Sequence, residues 1–570
     1  MDAVFWDGKR APGVSDRIDL NEYNNLVELI ERAIQQHGNR PAFTGFGKTL
    51  TFNTVDRLST TFACYLQNHT KLQPGDRIAI QMPNLLQYPV VVYGAFKAGL
   101  VVVNINPLYT AREMKTQLVD SGARALICLN MVGHMVADII QDTDIEHLVI
   151  TEMADLLSWP KRTLINLAVK HIRKMVPDYS LPQAVSFNQA MKLGSNHQYQ
   201  KPAPAKPDDL AVLQYTGGTT GVSKGAMLTH GNLVSNVLQT ANNQSQTDDN
   251  GKPLANPNGF TATAPLPLYH IYAFTVHLMA FFKLGGHSVL IPNPRDIDAF
   301  MKILKPHKFD IFIGLNTLFS GLMNHPDFKR LDFSHLRLTV SGGTALQSAI
   351  AEQWQEITGC RISEGYGLSE TSPVVCSNPA DVYTQLGTVG IPAVGTALKV
   401  INEQGEELPL GERGELCIKG PQVMKGYWNR PNETANVLSD DGWFKTGDVG
   451  IIREDGYVSI VDRIKDMVLV SGFNVYPNEI EDVVSGHEKV QNCAAIGIPD
   501  EKTGEAIKLF VIPEDKTLSA KEVQEYCRLN LTGYKIPKQV EFRDELPMTP
   551  VGKVLRKELR SEEIKAQGTR

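Results

Sequence analysis

The chain has 570 residues, 42% hydrophobic and 21% charged, which excludes an intrinsically disordered protein and allows roughly three or four domains, or one large body and a smaller one. The formal net charge of −6 argues against a nucleic-acid-binding protein with a dominant basic face. Seven scattered cysteines without a CxxC pair argue against a disulfide framework or a structural zinc site and favour a reducing cytoplasm. The N-terminal residues contain no apolar core, so no signal peptide is expected.

Over the first two hundred residues, short β-branched segments alternate with helical patterns. Segments 76–84 and 100–107 have the composition of strands, and segments 88–99 and 110–122 have that of helices. This alternation is typical of a parallel sheet with crossover helices.

Segment 159–176 contains five Lys or Arg residues and no acidic residue. At helical spacing, Leu164, Ala168, Ile172 and Met175 share one face, and the basic residues lie elsewhere. Such a helix either rests on anionic lipid headgroups or packs its apolar face against the protein, and the pattern is compatible with both.

A glycine- and threonine-rich loop lies between two predicted strands, LAVLQY and AMLTH. Its residues 215–225 hold four glycines, three threonines and Lys224. Glycines let backbone N–H groups wrap around an anion, and the hydroxyl and ammonium groups add donors. The spacing differs from a Walker loop and a strand follows, so the pattern indicates a phosphate site of another kind.

Three successive regions in the second half of the chain differ in composition and pattern. No charged residue lies between Lys252 and Lys283, but prolines and histidines interrupt this stretch, so a buried helix over 271–282 is expected and not a membrane span. From about residue 385, short strands with frequent glycine and proline predict a small β-rich unit. From Arg463, strand–helix alternation restarts, which predicts a first domain over 1–462 and an α+β domain over 463–570.

Seven motifs together carry a resemblance to a known family. The sequence from about Tyr23 to Arg560 resembles the adenylate-forming superfamily of acyl-CoA synthetases, luciferases and peptide-synthetase adenylation domains. Segments 441–481, 84–90 and 106–114 are especially similar to bacterial long-chain fatty acyl-CoA synthetases. The motifs lie at 215–225, 265–274, 341–346, 364–371, 442–448, 461–481 and 547–560.

The resemblance implies an α/β protein with a large adenylate-forming domain of stacked α/β sheets and a small β-barrel, followed by a mobile α+β domain. It implies that a long-chain fatty acid reacts with ATP to give acyl-adenylate and pyrophosphate, and that the thiol of CoA then displaces AMP. Mg²⁺ is the implied metal. Two alternatives remain open: an acyl-AMP ligase that serves a carrier protein, and a catalytically silent lipid-binding protein.

By the same resemblance, three residues are catalytic and two hold the metal. Lys553 bridges the carboxylate and the α-phosphate, His270 positions them, and Lys224 holds the departing phosphates. Glu370 and Thr216 are the implied Mg²⁺ ligands; one carboxylate with phosphate oxygens and waters suits this ion.

The remaining implied residues bind nucleotide, CoA or the acyl chain. The phosphate loop comprises Tyr215, Thr216, Gly217, Gly218, Thr219, Thr220 and Gly221. Contacts with adenine, ribose and the α-phosphate are assigned to Gly342, Gly343, Thr344, Tyr366, Gly367, Thr371, Asp448 and Arg463. The CoA step is assigned to the hinge Lys465 and to Ser471, Gly472 and Phe473. The acyl tunnel is assigned to the helix from residue 271 and strand 311–318, with Tyr272, Phe274 as gate, Gly314 as an open passage, and Asn316.

A fatty-acid-activating enzyme gains from staying near its substrate pool. The basic segment 159–176 therefore favours reversible contact with the inner face of a membrane by a cytoplasmic protein. A homodimer is left open, and no nucleic-acid partner is expected.

Overall fold

The computed structural model describes residues 1–216, 223–248, 251–254, 256–549 and 552–568. Five predicted phosphate-loop residues, Gly217, Gly218, Thr219, Thr220 and Gly221, lie outside the described residues.

The first layer is a seven-stranded sheet built from the first 229 residues. Every neighbouring pair is parallel except the last, which joins the two strands that flank the phosphate loop. The predicted parallel sheet is thus confirmed. In spatial order its strands are Val185–Ser186, His147–Thr151, Ala125–Leu129, Arg77–Gln81, Val101–Asn104, Leu210–Thr216 and Lys224–Thr229. The main helices of this half are Leu26–His37, Phe52–His69, Gln87–Lys97, Ala111–Ser121, Gly133–Ile139, Lys161–Leu167 and Phe187–Gly194.

The second layer is a nine-stranded sheet whose six inner strands are parallel and whose outer strands are antiparallel. In spatial order its strands are Ile391–Pro392, Val374–Ser377, Ile362–Gly367, Leu338–Gly342, Ile311–Gly314, Thr261–Ala264, His287–Leu290, Pro41–Gly45 and Lys48–Thr51. Its helices are Ile297–Leu304, Asn316–Met323 and Ser348–Thr358.

The predicted strand 311–318 is wrong in its second half. The strand ends at Gly314, and Asn316 begins a helix. A Cβ on Gly314 would lie 2.8 Å from the ring of Phe319, so the missing side chain lets this helix fold back onto the strand.

Two helices are buried between the layers. One is His230–Asn243, which begins at a capping box formed by Thr229. The other begins as Ile271–Ala273, continues as the π-helix Phe274–Phe281, and is buried except at the partly exposed Tyr272. The buried helix predicted for the charge-free stretch is confirmed. Within the described residues, no helix is both long and apolar enough to span a bilayer.

The β-rich unit is an antiparallel meander of four strands. Its spatial order follows the chain, so an open sheet stands where a small barrel was predicted. The strands are Ala397–Ile401, Arg413–Lys419, Phe444–Ile452 and Val458–Arg463, with a helix at Pro431–Val437.

The C-terminal segment forms a five-stranded sheet with three helices. Its core packs around Ile480, Leu509 and Val523, separately from the larger cores. The helix predicted over 519–530 is confirmed, with Ser519 as its N-cap. The strands are Val468–Val470, Phe473–Val475, Val490–Asp500, Gly504–Pro513 and Gln539–Phe542, and the helices are Pro477–Ser485, Ala520–Asn530 and Arg556–Gly568.

Candidate active site

A cavity of about 2160 Å³ lies at the carboxyl ends of the parallel strands and is closed by the C-terminal domain. Ligands of open α/β sheets bind at this edge. The cavity brings together most of the predicted residues from distant parts of the chain. Its lining includes Tyr215, Thr216, Lys224, His270, Tyr272, Asn316, Gly342, Gly343, Thr344, Tyr366, Gly367, Glu370, Asp448, Arg463, Lys465 and Lys553.

Asp448 lies at the predicted ribose position, at the end of the β-rich unit nearest the cavity. Its Oδ2 accepts a hydrogen bond of 2.5 Å from the Tyr366 hydroxyl, and its Oδ1 lies 3.5 Å from Nε of Arg463. Burial raises the pKa of Asp448, whereas Arg463 lowers it. A carboxylate with only acceptor atoms, held in this way, suits a pair of hydroxyl donors.

Two glycines let the backbone approach the nucleotide position closely. A Cβ on Gly342 would lie 3.0 Å from the Tyr272 ring, and one on Gly343 would lie 3.3 Å from Cε of Lys553. Gly343 also has φ of 94°, a value that side chains rarely tolerate. Both positions therefore require glycine.

Lys553 enters the cavity from the C-terminal domain. Burial, reinforced by Arg463, lowers its pKa to about 8, while Asp448 opposes this shift. Near neutral pH the ammonium group is charged in a poorly solvated site, where its attraction for phosphate oxygens is strong.

This pKa predicts the pH dependence of adenylation. The cation is present below about pH 8 and is lost as pH rises through that value. The kcat/KM of the free enzyme for ATP–pyrophosphate exchange should therefore fall about tenfold per pH unit well above it. In Lys553→Arg this fall in kcat/KM should move to higher pH, because a guanidinium group stays charged.

A second group titrates in the same range and supplies the control. Burial raises the pKa of the cavity carboxyl Glu364 to about 8. Glu364→Gln removes this titration yet keeps an acceptor for the Leu346 N–H, which lies 3.0 Å from Oε1. The fall in kcat/KM above about pH 8 should persist in Glu364→Gln. If the same fall also persisted in Lys553→Arg, it would belong to another group.

His270 forms the N-cap of the buried helix. Its Nδ1 accepts a hydrogen bond of 3.3 Å from the Tyr272 N–H. Burial, and then Lys553, lower its pKa to about 3. The imidazole is therefore neutral near pH 7, which suits positioning and not protonation of a substrate.

The predicted metal ligands provide hard oxygen donors. Glu370 lies in the cavity wall, and its Oε1 accepts a hydrogen bond of 2.8 Å from the Tyr427 hydroxyl. Burial raises the pKa of Glu370. Thr216 ends the strand that leads into the phosphate loop. One carboxylate and one hydroxyl suit an ion that keeps phosphate and water ligands. Within the described part of the chain no three His, Cys, Asp or Glu residues cluster as metal ligands.

Lys224 follows the loop and makes two contacts. Its Nζ lies 2.9 Å from Oε2 of Glu433 and 5.3 Å from the centre of the Tyr427 ring. Tyr215 donates a hydrogen bond of 2.7 Å to Asp120, which also accepts one from Arg430.

Several predicted residues lie away from the cavity lining. Phe274 is fully buried and packs against Phe96 with ring centres 6.4 Å apart. The Thr371 hydroxyl is fully buried and donates a hydrogen bond of 2.6 Å to the Pro373 carbonyl. Gly314 faces Phe319, as described above. The gate, α-phosphate and open-passage roles of Phe274, Thr371 and Gly314 stay predictions.

The turn assigned to the CoA step is also remote from the cavity. Ser471 has φ of 53° and Gly472 of 84°. Phe473 is 54% exposed and stacks on Tyr534 with ring centres 4.7 Å apart. The role of this turn in the CoA step stays a prediction.

Arg556 and Asp482 were missed by sequence reasoning, although Arg556 lies within the motif 547–560 and Asp482 directly follows the motif 461–481. Arg556 donates a bond of 2.7 Å to Glu481 and lies 3.4 Å from Asp462, the penultimate residue of the β-rich unit. Asp482 accepts a bond of 3.1 Å from the N–H of Ser348, the first residue of a helix in the large domain. These ion pairs and bonds hold Lys553 over the cavity, and spacing alone gave no signal for them.

The fold and this cavity define a nucleotide-binding enzyme with a large domain and a smaller C-terminal domain. A model described as AMP-binding enzyme matches residues 30–428, and one described as AMP-binding enzyme C-terminal domain matches residues 479–553. The chain belongs to the AMP-binding enzyme family. The predicted domain boundary at 462 and 463 lies between the two matches and stays a prediction.

Named relatives match almost the whole chain. It is 47% identical over 562 residues to the long-chain-fatty-acid–CoA ligase of Haemophilus influenzae, with 98% of each chain covered. It is 36% identical over 541 residues to the enzyme of the same name from Bacillus subtilis, with 94% of each covered.

Solved structures share the fold. The anthranilate CoA ligase AuaEII in complex with anthranoyl-AMP aligns with a TM-score of 0.85 at 25% identity, covering 97% of this chain and 100% of that one. ATP-bound MatB from Rhodopseudomonas palustris aligns with 0.80 at 28% identity, covering 95% and 99%. Apo MatB, with the same coverage, aligns with a TM-score of 0.71 at 29% identity.

Proposed function

We propose that this protein activates long-chain fatty acids to acyl-CoA in an ATP-dependent reaction with an acyl-adenylate intermediate. The main observation that supports this proposal is that Lys553, Asp448 and Glu370 line the same cavity. The near full-length identity to long-chain-fatty-acid–CoA ligases supports the choice of substrate.

In the first step the carboxylate attacks the α-phosphorus, and pyrophosphate leaves. Lys553 and Lys224 both line the cavity. In this proposal Lys553 neutralises the charge that develops on the α-phosphate, and Lys224 binds the departing phosphates. Asp448 and Tyr366 hold ribose and adenine. Bound Mg²⁺, held by Glu370 and Thr216, supplies charge neutralisation at the phosphates.

In the second step the CoA thiol attacks the acyl carbonyl, and AMP leaves. Lys553 occupies the space near the acyl phosphate, whereas the 471–473 turn lies on an exposed face. The C-terminal domain must therefore rotate between the steps, and the segment around Lys465 joins it to the β-rich unit.

A screen of free acids by chain length tests the proposal. Each buried methylene contributes about 0.8 kcal/mol, so sixteen carbons gain on the order of 10 kcal/mol before ordering costs. We expect kcat/KM to rise steeply from about eight carbons to between twelve and eighteen. A preference for acetate or benzoate would overturn the long-chain assignment.

The same assay separates the alternatives. AMP release and thioester formation should require CoA; thioester formation on a carrier protein without CoA would indicate an acyl-AMP ligase. Fatty-acid-dependent ATP–pyrophosphate exchange excludes a catalytically silent lipid-binding protein.

We also propose reversible contact with the cytoplasmic face of a membrane. Helix Lys161–Leu167 and its extension Ala168–Ile172 contain no buried residue. Trp159 and Ile172 are 76% and 78% exposed, next to the exposed Lys170 and Arg173. Exposed apolar side chains flanked by cations favour a lipid surface over the packed-helix alternative. The homodimer stays a prediction.

Charge reversal tests this contact. The triple variant Lys170→Glu, Arg173→Glu and Lys174→Glu should weaken binding to anionic vesicles by more than about tenfold, since each basic residue near such a surface contributes about 1 kcal/mol. Vesicle binding is measured by sedimentation. The control variant changes the exposed Lys302, Lys329 and Lys516 to Glu, which alters the net charge by the same amount. Equal losses in both variants would mean that net charge, and not this helix, governs binding.

A further inference from the structure

A strap formed by residues 8–16 crosses the far side of the large domain. The Ser245 hydroxyl, just beyond the buried helix His230–Asn243, donates a hydrogen bond of 2.8 Å to the Gly13 carbonyl. Arg10 donates one of 2.8 Å to the carbonyl of Pro392 in the edge strand of the nine-stranded sheet. The strap therefore bridges the gap between this helix and the sheet edge.

A small cavity of about 50 Å³ lies behind the strap. Ala11 and Val14 contribute its outer wall. The guanidinium of Arg10, also in the wall, pairs with Asp16 at 3.3 Å. The small cavity adjoins the active-site cavity, since Asn243, Gln244, Val340 and Ser377 line both.

One face of the nine-stranded sheet forms a floor common to both cavities. Gly342 and Val340 line the large cavity, and Val340 and Leu338 line the small one. Ile313 and Ile311 repeat this pattern on the neighbouring strand. Residues two apart in a strand share a face, so the floor is continuous from the nucleotide end to the strap.

The length of this floor matches a long acyl chain. Four residues from Gly342 to Leu338 span about 13 Å at about 3.3 Å each. An extended alkyl chain of bonds of about 1.5 Å covers that distance with roughly ten methylenes. In the proposed function the carboxylate binds at the nucleotide end of the floor near His270, which lines the large cavity, so only chains of more than about twelve carbons would reach the strap.

We propose that Ala11 and Val14 form the wall that meets the methyl end of a long acyl chain, and thereby set the upper limit of chain length. This inference rests on the proposed function. The two side chains are apolar, the strap is anchored at both ends, and no family motif includes it.

Filling the small cavity tests the proposal. Ala11→Leu and Val14→Phe should each lower kcat/KM for sixteen- and eighteen-carbon acids at least about tenfold, because two or three methylenes lose their burial at about fourfold each. Ten-carbon acids should be unaffected. Val4→Leu, at a 68% exposed position of the same N-terminal segment, is the control. An unshifted profile in both cavity variants would overturn the inference, while a wild-type preference for short acids would overturn the proposed function instead.

A labelling experiment uses the wild-type protein and so does not depend on folding of a variant. Hexadecanoic acid with a diazirine at its methyl end, supplied with ATP, should label peptides that contain residues 10–16. Labelling confined to any other segment would exclude the strap as the terminal wall.

Discussion

Lys553→Ala is expected to abolish acyl-adenylate formation, with a loss of at least about 10²–10³-fold. Lys553 is a buried cation in a cavity that contains Asp448 and Glu370, and its removal leaves the pentacovalent phosphorus without this charge. Thioester formation from supplied acyl-adenylate should remain, because CoA displaces AMP after the lysine has withdrawn. Single-turnover rates for the two half-reactions measure this difference.

A matched control is Lys521→Ala, which removes an 83% exposed lysine from the same domain. It should leave both rates unchanged. If both half-reactions of a folded Lys553→Ala protein fell equally, Lys553 would not be specific to adenylation, and its place in the first step would be wrong.

Lys465→Pro is expected largely to keep adenylation while slowing transfer to CoA at least about tenfold, or ~1.4 kcal/mol in the barrier. Lys465 is the middle residue of the 3-10 turn Ile464–Asp466. Such turns have φ near −50 to −70°, which proline adopts. Proline disfavours helical backbone at Ile464, so a modest adenylation loss is expected. Rotation to a second orientation requires another φ, and proline forbids it.

Lys465→Ala separates the backbone restriction from loss of the side chain, which lines the cavity. The alanine variant should transfer acyl groups to CoA faster than the proline variant. Equal rates in these two variants, or equal loss in both half-reactions of Lys465→Pro, would mean that the domain does not pivot at this residue.

Bonds between the domains explain why the adenylation arrangement is stable. Arg556, three residues after Lys553, joins Glu481 to Asp462, and Asp482 caps the helix that begins at Ser348. Rotation must break the contact of Asp482 with Ser348, which is an exposed bond of modest strength. The domain arrangement that places Lys553 in the cavity is thus held by contacts that a domain rotation can break at low cost.

Local patterns were sufficient for the class of fold, whereas the family resemblance supplied most of the site. Alternating strand and helix periods predicted the parallel sheet, and the charge-free stretch predicted the buried helix, because both depend on neighbouring residues. The resemblance, and not spacing alone, assigned Gly343, Asp448 and Lys553 to one nucleotide site, and all three line the cavity. Close approach of the backbone requires glycine, and interaction by charge requires a carboxylate or an ammonium group, wherever the fold brings these residues together.

Tertiary structure alone decided what those motifs contact. Phe274 packs against Phe96, and a Cβ on Gly314 would meet Phe319; the family resemblance that assigned both residues to an acyl tunnel did not predict these contacts. The apolar face of helix Lys161–Leu167 is exposed. Sequence periodicity alone could not decide whether this face is exposed or packed against the protein. Ala11 lies behind Leu338 in the same small cavity, more than three hundred residues away in the chain. Such neighbours follow from how separate sheets and helices pack, and no local pattern encodes that packing.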